Sequence, residues 1–403
     1  MLAALVPAAS PAFAQAEKPA AYYWVSVTTN NMSIPGMSAQ EMSMLGSMGN
    51  MPGAGPQRSL TLQLSAPGPQ ANSNATHDIP PGLNMGRTLP LLTPVRETGS
   101  SPGPYERPKP EGRMLVYWGC SESVRQGQPV VIDFANMDAA AKSLVSRAGA
   151  PQRPPGPARD RVYAEWPNET ARVNVPRDSS LVGEHFVHGN YPPDIKFQVD
   201  GGHDFMAPVV FSSVSGGTAG AVSFQWDSVP TATGYFAMAT GAGDKSKDII
   251  IWTSSEVQEM GGGLLDFLPP GQVQRLIQEK VVMPTQTTRC TVPQGIFKDV
   301  QGAALQFVAY GDELNHVYPP KPADPKQRWD PIWYAKVRLK STGMLMLGAA
   351  DASERSRTGS RRPPPEARQP EARQPDADRP PSKAGPSVNP AEGVRKLKGL
   401  LGL

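Results

Sequence analysis

A helix-breaking residue is rarely more than a few positions away in this sequence. Proline fills 45 of its 403 positions and glycine 39. Proline fixes φ and removes a backbone donor, and glycine is entropically costly inside any regular element. Long helices are therefore excluded over most of the chain, and short extended segments between turns remain. The windows that are left read as strands. In Ser59 to Ser65 (SLTLQLS), Leu60, Leu62 and Leu64 alternate strictly with polar residues, the pattern of a half-buried strand. Tyr22 to Thr28 (YYWVSVT), Arg113 to Cys120 (RMLVYWGC), Pro129 to Phe134 (PVVIDF) and Ile195 to Val199 carry the same aromatic and β-branched signature. Arg161 to Trp166 and Ala171 to Val175 read as a hairpin joined through Pro167-Asn168-Glu169. The expected fold class is mostly β.

The chain divides by composition. Met1 to Ser10 is apolar and is followed by Ala12-Phe13-Ala14, a small-x-small pattern that signal peptidases accept. Residues 1–16 are thus expected to be a signal peptide with a truncated basic region, cleaved after Ala14 or Ala16. Residues 17–200 are expected to form an N-terminal β-rich domain. Within it, residues 30–58 are a Met/Gly-rich loop, residues 66–111 are mostly loop, and Ala139 to Arg147 is a short helix. From residue 205 the spacing becomes regular. Seven candidate strands run from Val209–Ser213 to Tyr334–Lys340, the density expected of a β-sandwich over 205–345. One helix interrupts them, Gly271 to Lys280, preceded by two prolines and carrying Val273, Leu276 and Ile277 on one face.

Within that region, Ala221 to Gly241 (AVSFQWDSVPTATGYFAMATG) resembles the B and C strands of a fibronectin type III domain. Trp226 occupies the position of that family's core tryptophan, and Gly234-Tyr235 that of the dipeptide opening strand C. The resemblance covers about 20 residues and implies a two-sheet sandwich with a binding or spacing role. The helix at 271–280 departs from the usual domain. The chain as a whole resembles exported proteins of Gram-negative envelopes, a likeness that implies no activity.

After Ala350 the character changes. Residues 350–388 are polar, charged and proline-rich, with the repeat Glu366 to Pro370 and Glu371 to Pro375 (EARQP twice). Such a segment cannot bury enough apolar surface to order itself and is expected to be disordered. Residues 389–403 (NPAEGVRKLKGLLGL) then read as an amphipathic helix. Its capping Asn389 and Pro390 precede a face of Val394, Leu397, Leu400 and Leu401, with Arg395, Lys396 and Lys398 off that face. On a flexible tether it would fold on an envelope partner or a membrane surface.

Few residues suggest chemistry. The net charge of +3 is too small for a dedicated nucleic-acid binder. Cys120 and Cys290 could form a bridge closing a loop of about 170 residues. Two buried free thiols are the alternative, and the favoured one. Met42, Met44 and Met48 resemble methionine motifs of periplasmic copper carriers, since thioethers suit Cu(I); a flexible loop needs no ligand to explain them, and that reading is the favoured one. Glu184, His185, His188, Asp194, His203 and Asp204 cluster in sequence, but on a strand His185 and His188 would face opposite ways. No nucleophile or phosphate-loop motif occurs; the Gly-rich run Ser215 to Gly220 fits a strand turn, and Asp312-Glu313 an exposed acidic pair. Trp329, Trp333 and Tyr318 could stack on sugars, or pack at the end of the sandwich.

These features together point to a non-catalytic envelope binding or assembly protein with no cofactor, docking through the C-terminal helix and β-domain surfaces. The alternatives are copper handling through the methionine loop and binding or processing of glycans.

Overall fold

The strands expected from alternation pair into one long sheet that draws on both ends of the chain. The computed structural model describes residues 20–33, 44, 55–68, 72–94, 111–136, 146–147, 149, 151–169, 171, 173–243, 246–324 and 326–347. The expected signal peptide, the tail after residue 350 and the helix at 389–403 lie outside the described residues. So do Met42, Met48, most of the 30–58 loop and residues 139–145 of the expected helix.

The strands of the first half are β1 (Ala21–Ser33), β2 (Gln57–Ala66), β3 (Ala75–Asp78), β4 (Thr88–Leu91), β5 (Arg113–Trp118), β6 (Val130–Asp133), β7 (Val162–Trp166), β8 (Gly183–Gly189) and β9 (Ile195–Val199). Those of the second half are β10 (Phe211–Ser215), β11 (Val222–Trp226), β12 (Gly234–Gly243), β13 (Ile249–Thr253), β14 (Arg289–Val292), β15 (Val300–Tyr318) and β16 (Trp333–Leu347). One α-helix, α1 (Pro270–Gln278), interrupts them. The nine-stranded sheet runs β6-β5-β13-β12-β15-β16-β1-β2-β7; a three-stranded sheet runs β10-β11-β14 and a four-stranded one β4-β3-β8-β9. The fold is mostly β, as expected.

The two-domain boundary near residue 200 is not followed. β1 lies parallel to β16 along its whole length, and β5 lies parallel to β13. Strands of the expected first domain thus flank a central block of second-domain strands on both sides of one sheet, and the described residues belong to one compact unit. The pattern of each strand was local, but the partner that buries its edge is set by tertiary contacts. Two further expectations are corrected. The 66–111 loop contains β3 and β4, which pair with each other. The 161–175 hairpin does not form: β7 pairs with β2, and Asn168 instead ties the turn by accepting from the Ala171 N–H and donating to the Pro90 and Glu165 carbonyls.

Period-two alternation sorts the large sheet into two faces. Tyr235 and Ala237 of β12, Leu305 and Phe307 of β15, Val337 and Leu339 of β16, Val25 and Val27 of β1, and Leu62 and Leu64 of β2 share one core with both small sheets. Phe224 and Trp226 of β11 enter it from the three-stranded sheet, and Val187 and Phe197 of the β8–β9 pair from the four-stranded one. On the opposite face, Phe236, Met238, Ile251, Val308 and Tyr310 pack against Val273 and Leu276 of α1 and against Leu264 and Leu268. The helix opens with Pro270 in its first turn. It closes through Lys280, whose φ of 60° is left-handed and lets the Val281 N–H reach the Leu276 carbonyl at 2.8 Å.

Candidate functional site

The expected site residues separate in space. Cys120 and Cys290 are joined as a disulfide, so the favoured free-thiol reading is corrected. Cys120 follows β5 at the edge region of the large sheet and Cys290 sits in β14, so the bond ties that sheet to the three-stranded one. Met44 is 66% exposed; its companions Met42 and Met48 lie outside the described residues, as do Val394, Leu397, Leu400 and Leu401. His185 and His188 both lie on β8 and face opposite ways: His185 is fully buried, while His188 meets Asp78 at 3.2 Å. His203 pairs instead with Asp200 at 2.8 Å, and Asp204 accepts from Ser180 and from the Leu181 N–H. Among the described residues no three His, Cys, Asp or Glu side chains converge as a metal site would require.

His185 has a different role. Its Nε2 meets the Leu181 carbonyl at 2.7 Å, and its Nδ1 meets His77 Nε2 at 2.9 Å. His77 Nδ1 in turn meets the Tyr23 hydroxyl at 2.8 Å. A carbonyl only accepts, so His185 carries its proton on Nε2. Its Nδ1 then accepts from His77 Nε2–H, and His77 Nδ1 accepts from Tyr23 O–H. Burial holds both imidazoles below the ordinary histidine range, and each therefore stays neutral. The chain links β1, β3 and β8 through the core.

The aromatic residues flanking residues 319–332 form a ledge at the end of the β15–β16 pair. Tyr318 is 51% exposed and lies nearly parallel to Trp333, with ring centroids 5.7 Å apart. Trp333 itself is core, and the Trp329 indole donates to the Pro319 carbonyl at 2.9 Å. Of the three, Tyr318 alone presents a largely open ring, beside exposed Ile332.

The Asp312-Glu313 pair was expected at the surface. Glu313 is buried and forms an ion pair with Lys336 at 2.6 Å, their side chains 5% and 6% exposed. Lys336 opens a row that sequence reasoning missed. Lys336, Arg338 and Lys340 occupy alternate positions of β16, opposite Trp24, Ser26 and Thr28 of β1. Strand alternation puts the three on one face, but a basic row is ordinarily solvent-facing. Here it is roofed by segments distant in sequence. Lys336 Nζ donates to Gln152 Oε1 at 3.1 Å, Arg338 reaches the Gln152 carbonyl at 3.4 Å, and Lys340 donates to the Leu265 carbonyl at 2.9 Å. The Arg338 guanidinium also donates to Ser26 Oγ at 2.8 Å. Its carbon lies 5.0 Å from the Trp24 ring centre and 4.2 Å from that of Phe267. Burial pushes the Arg338 and Lys340 pKa values down, partly opposed by Asp266.

The sequence matches no protein-family model and no curated protein.

Proposed function

We propose that this chain is a non-catalytic binding or assembly protein of an extracytoplasmic compartment, built around a fibronectin type III-like module. The observation that carries the reading is the Cys120–Cys290 disulfide, because such bonds persist in oxidising compartments and are rare in reducing ones. The module reading is supported by strand order. β10-β11-β14 lie in one sheet and β13-β12-β15-β16 in the other, two layers compatible with a sandwich, with Trp226 and Tyr235 in edge contact at 5.6 Å. Helix α1 is an insertion into that pattern, and β1 and β5 extend its larger sheet on both sides. Residues 389–403, expected from sequence to be an amphipathic helix, remain the proposed docking element for an envelope partner or membrane surface.

Mass spectrometry of protein recovered from its native compartment under alkylating, non-reducing conditions tests the reading. No alkylated cysteine is expected; alkylation of both would contradict export. A second reading, glycan binding, is favoured by the open Tyr318 ring stacked on Trp333. Retardation by polysaccharide in affinity electrophoresis, lost in Tyr318→Ala, is the expected result for that reading. Copper handling has no comparable support.

A further inference from the structure

At one corner of the large sheet the outer face carries sulfur. Asn31 of β1 donates to the Val209 carbonyl at 2.7 Å, and Leu345 of β16 belongs to the core, so both point inward. On the outer side, Thr342 Oγ1 donates to Asn30 Oδ1 at 2.7 Å. Alternation then places Met32, Met344 and Met346 on the outer face as well. Met32 and Met344 are partners in the parallel β1–β16 ladder, which sets their backbones about 4.8 Å apart. Met346 follows on β16, about 6.6 Å beyond Met344.

Packing does not account for these residues. Met32 is 37% exposed, and Met344 and Met346 are half-buried. Among the described residues, none of them joins any of the apolar clusters. The ladders leave the corner open. β2 pairs with β1 only as far as Asn30, and on β15 the partners of Met344 and Met346 are Gln306 and Ala304. An open strand face is ordinarily filled by β-branched residues, and ordering a long unbranched side chain costs more entropy than ordering a branched one.

The property shared by the three side chains is soft-donor chemistry. Each sulfur is neutral and polarisable, and each side chain is unbranched and adaptable. Thioethers select soft monovalent ions, whereas calcium, magnesium and zinc require carboxylate, imidazole or thiolate ligands. The basic row on the same face ends at Lys340, about 13 Å along β16 from Met344. That exceeds the Debye length of about 8 Å at physiological salt, so a single positive charge is tolerated at the corner.

We propose that Met32, Met344 and Met346 form a thioether site for one soft monovalent metal ion of the Cu(I) class. The site is a property of the sheet corner, separate from the loop motif of Met42, Met44 and Met48. It goes beyond the proposed binding or assembly role, and either can stand without the other.

The test titrates the full chain, without oxygen, against Cu(I) held by a chromogenic chelator. A thiol-free reductant keeps the Cys120–Cys290 bond intact. Withdrawal of one equivalent is expected. Met32→Leu/Met344→Leu/Met346→Leu, which conserves side-chain volume, should weaken the affinity about tenfold or more. Met42→Leu/Met44→Leu/Met48→Leu should retain it. If the strand variant does not fold, NMR of the wild-type chain labelled at its methionine methyl groups reads the site directly. One equivalent of Ag(I), a redox-stable stand-in, should shift the Met32, Met344 and Met346 resonances together, each assigned by a single Met→Leu change. No withdrawal of Cu(I), an unchanged affinity in the strand variant, or silver-induced shifts that spare these methionines overturns the proposal.

Discussion

Tyr23, His77 and His185 form a hydrogen-bond chain with one direction, and it persists only while both imidazoles are neutral. A proton on His185 Nδ1 would point a donor at the donor of His77. Burial, with the repulsion of a charged His185, sets the His77 pKa well below its ordinary 6.5, and burial lowers that of His185. The unfolded chain therefore binds more protons than the folded one between the ordinary and the lowered values. The stabilisation is fully present above about pH 6.5 and is lost as pH falls toward the lowered values. Urea midpoints should drop between about pH 7.5 and about pH 5. In His77→Phe/His185→Phe the drop should largely vanish, at a cost of about 1–3 kcal/mol at neutral pH for the Tyr23 hydroxyl left without a partner. Equal pH slopes in the two proteins would show that the chain is not what titrates.

At the scale of elements, the close approach of α1 to the sheet is set by a residue without a side chain. A Cβ on Gly234 would lie 2.9 Å from Val273 Cγ1 and 2.9 Å from Val282 Cγ1, contacts that force the helix outward. Gly234→Ala should lower the denaturation midpoint by about 1–3 kcal/mol in free energy. Leu276→Ala, which empties the same interface, should cost about 2–5 kcal/mol. A neutral Gly234→Ala would mean that α1 is not rigidly seated. This helix was legible in the sequence because its apolar face and prolines are local signals. β2 was legible for the same reason, since Leu60, Leu62 and Leu64 all enter the core. β3 was not: with four residues and a buried histidine, ATHD breaks the alternation that marks a strand. β8 was hidden likewise by His185 pointing inward. The Arg338 row was missed altogether. Its burial depends on Gln152 and Phe267, which lie 186 residues away for the first and on a different layer for the second, and no window of sequence contains them.

For the whole molecule, the region that resembles a common sandwich module is not separable from the rest. A chain starting at residue 205 keeps β10 to β16 but loses β1, the 13-residue partner of β16. The outer edge of β16 would then present unpaired backbone groups beside Trp333, Val337 and Leu339, the arrangement that templates aggregation. The fragment also loses β5 from the edge of β13 and Cys120 from Cys290. That bond spans 170 residues, and closing so long a loop constrains the unfolded chain by about 5 kcal/mol in the entropic limit. Two linked expectations follow from this interleaving. The full chain should unfold in one calorimetric transition, since no plane divides the nine-stranded sheet without breaking a ladder. The 205–347 fragment should be aggregated or lack near-ultraviolet circular dichroism, despite containing every strand from β10 to β16. A monomeric fragment with native-like aromatic signals, or two resolved transitions in the parent, would show instead that β1 and β5 are additions to an autonomous domain. The proposed binding surfaces could then be studied on the fragment alone. If the fragment fails as expected, the Arg338 row gives the physical reason: its counterparts Trp24, Ser26 and Gln152 all come from the part removed, leaving a guanidinium, two ammonium groups and a bare strand edge on one face.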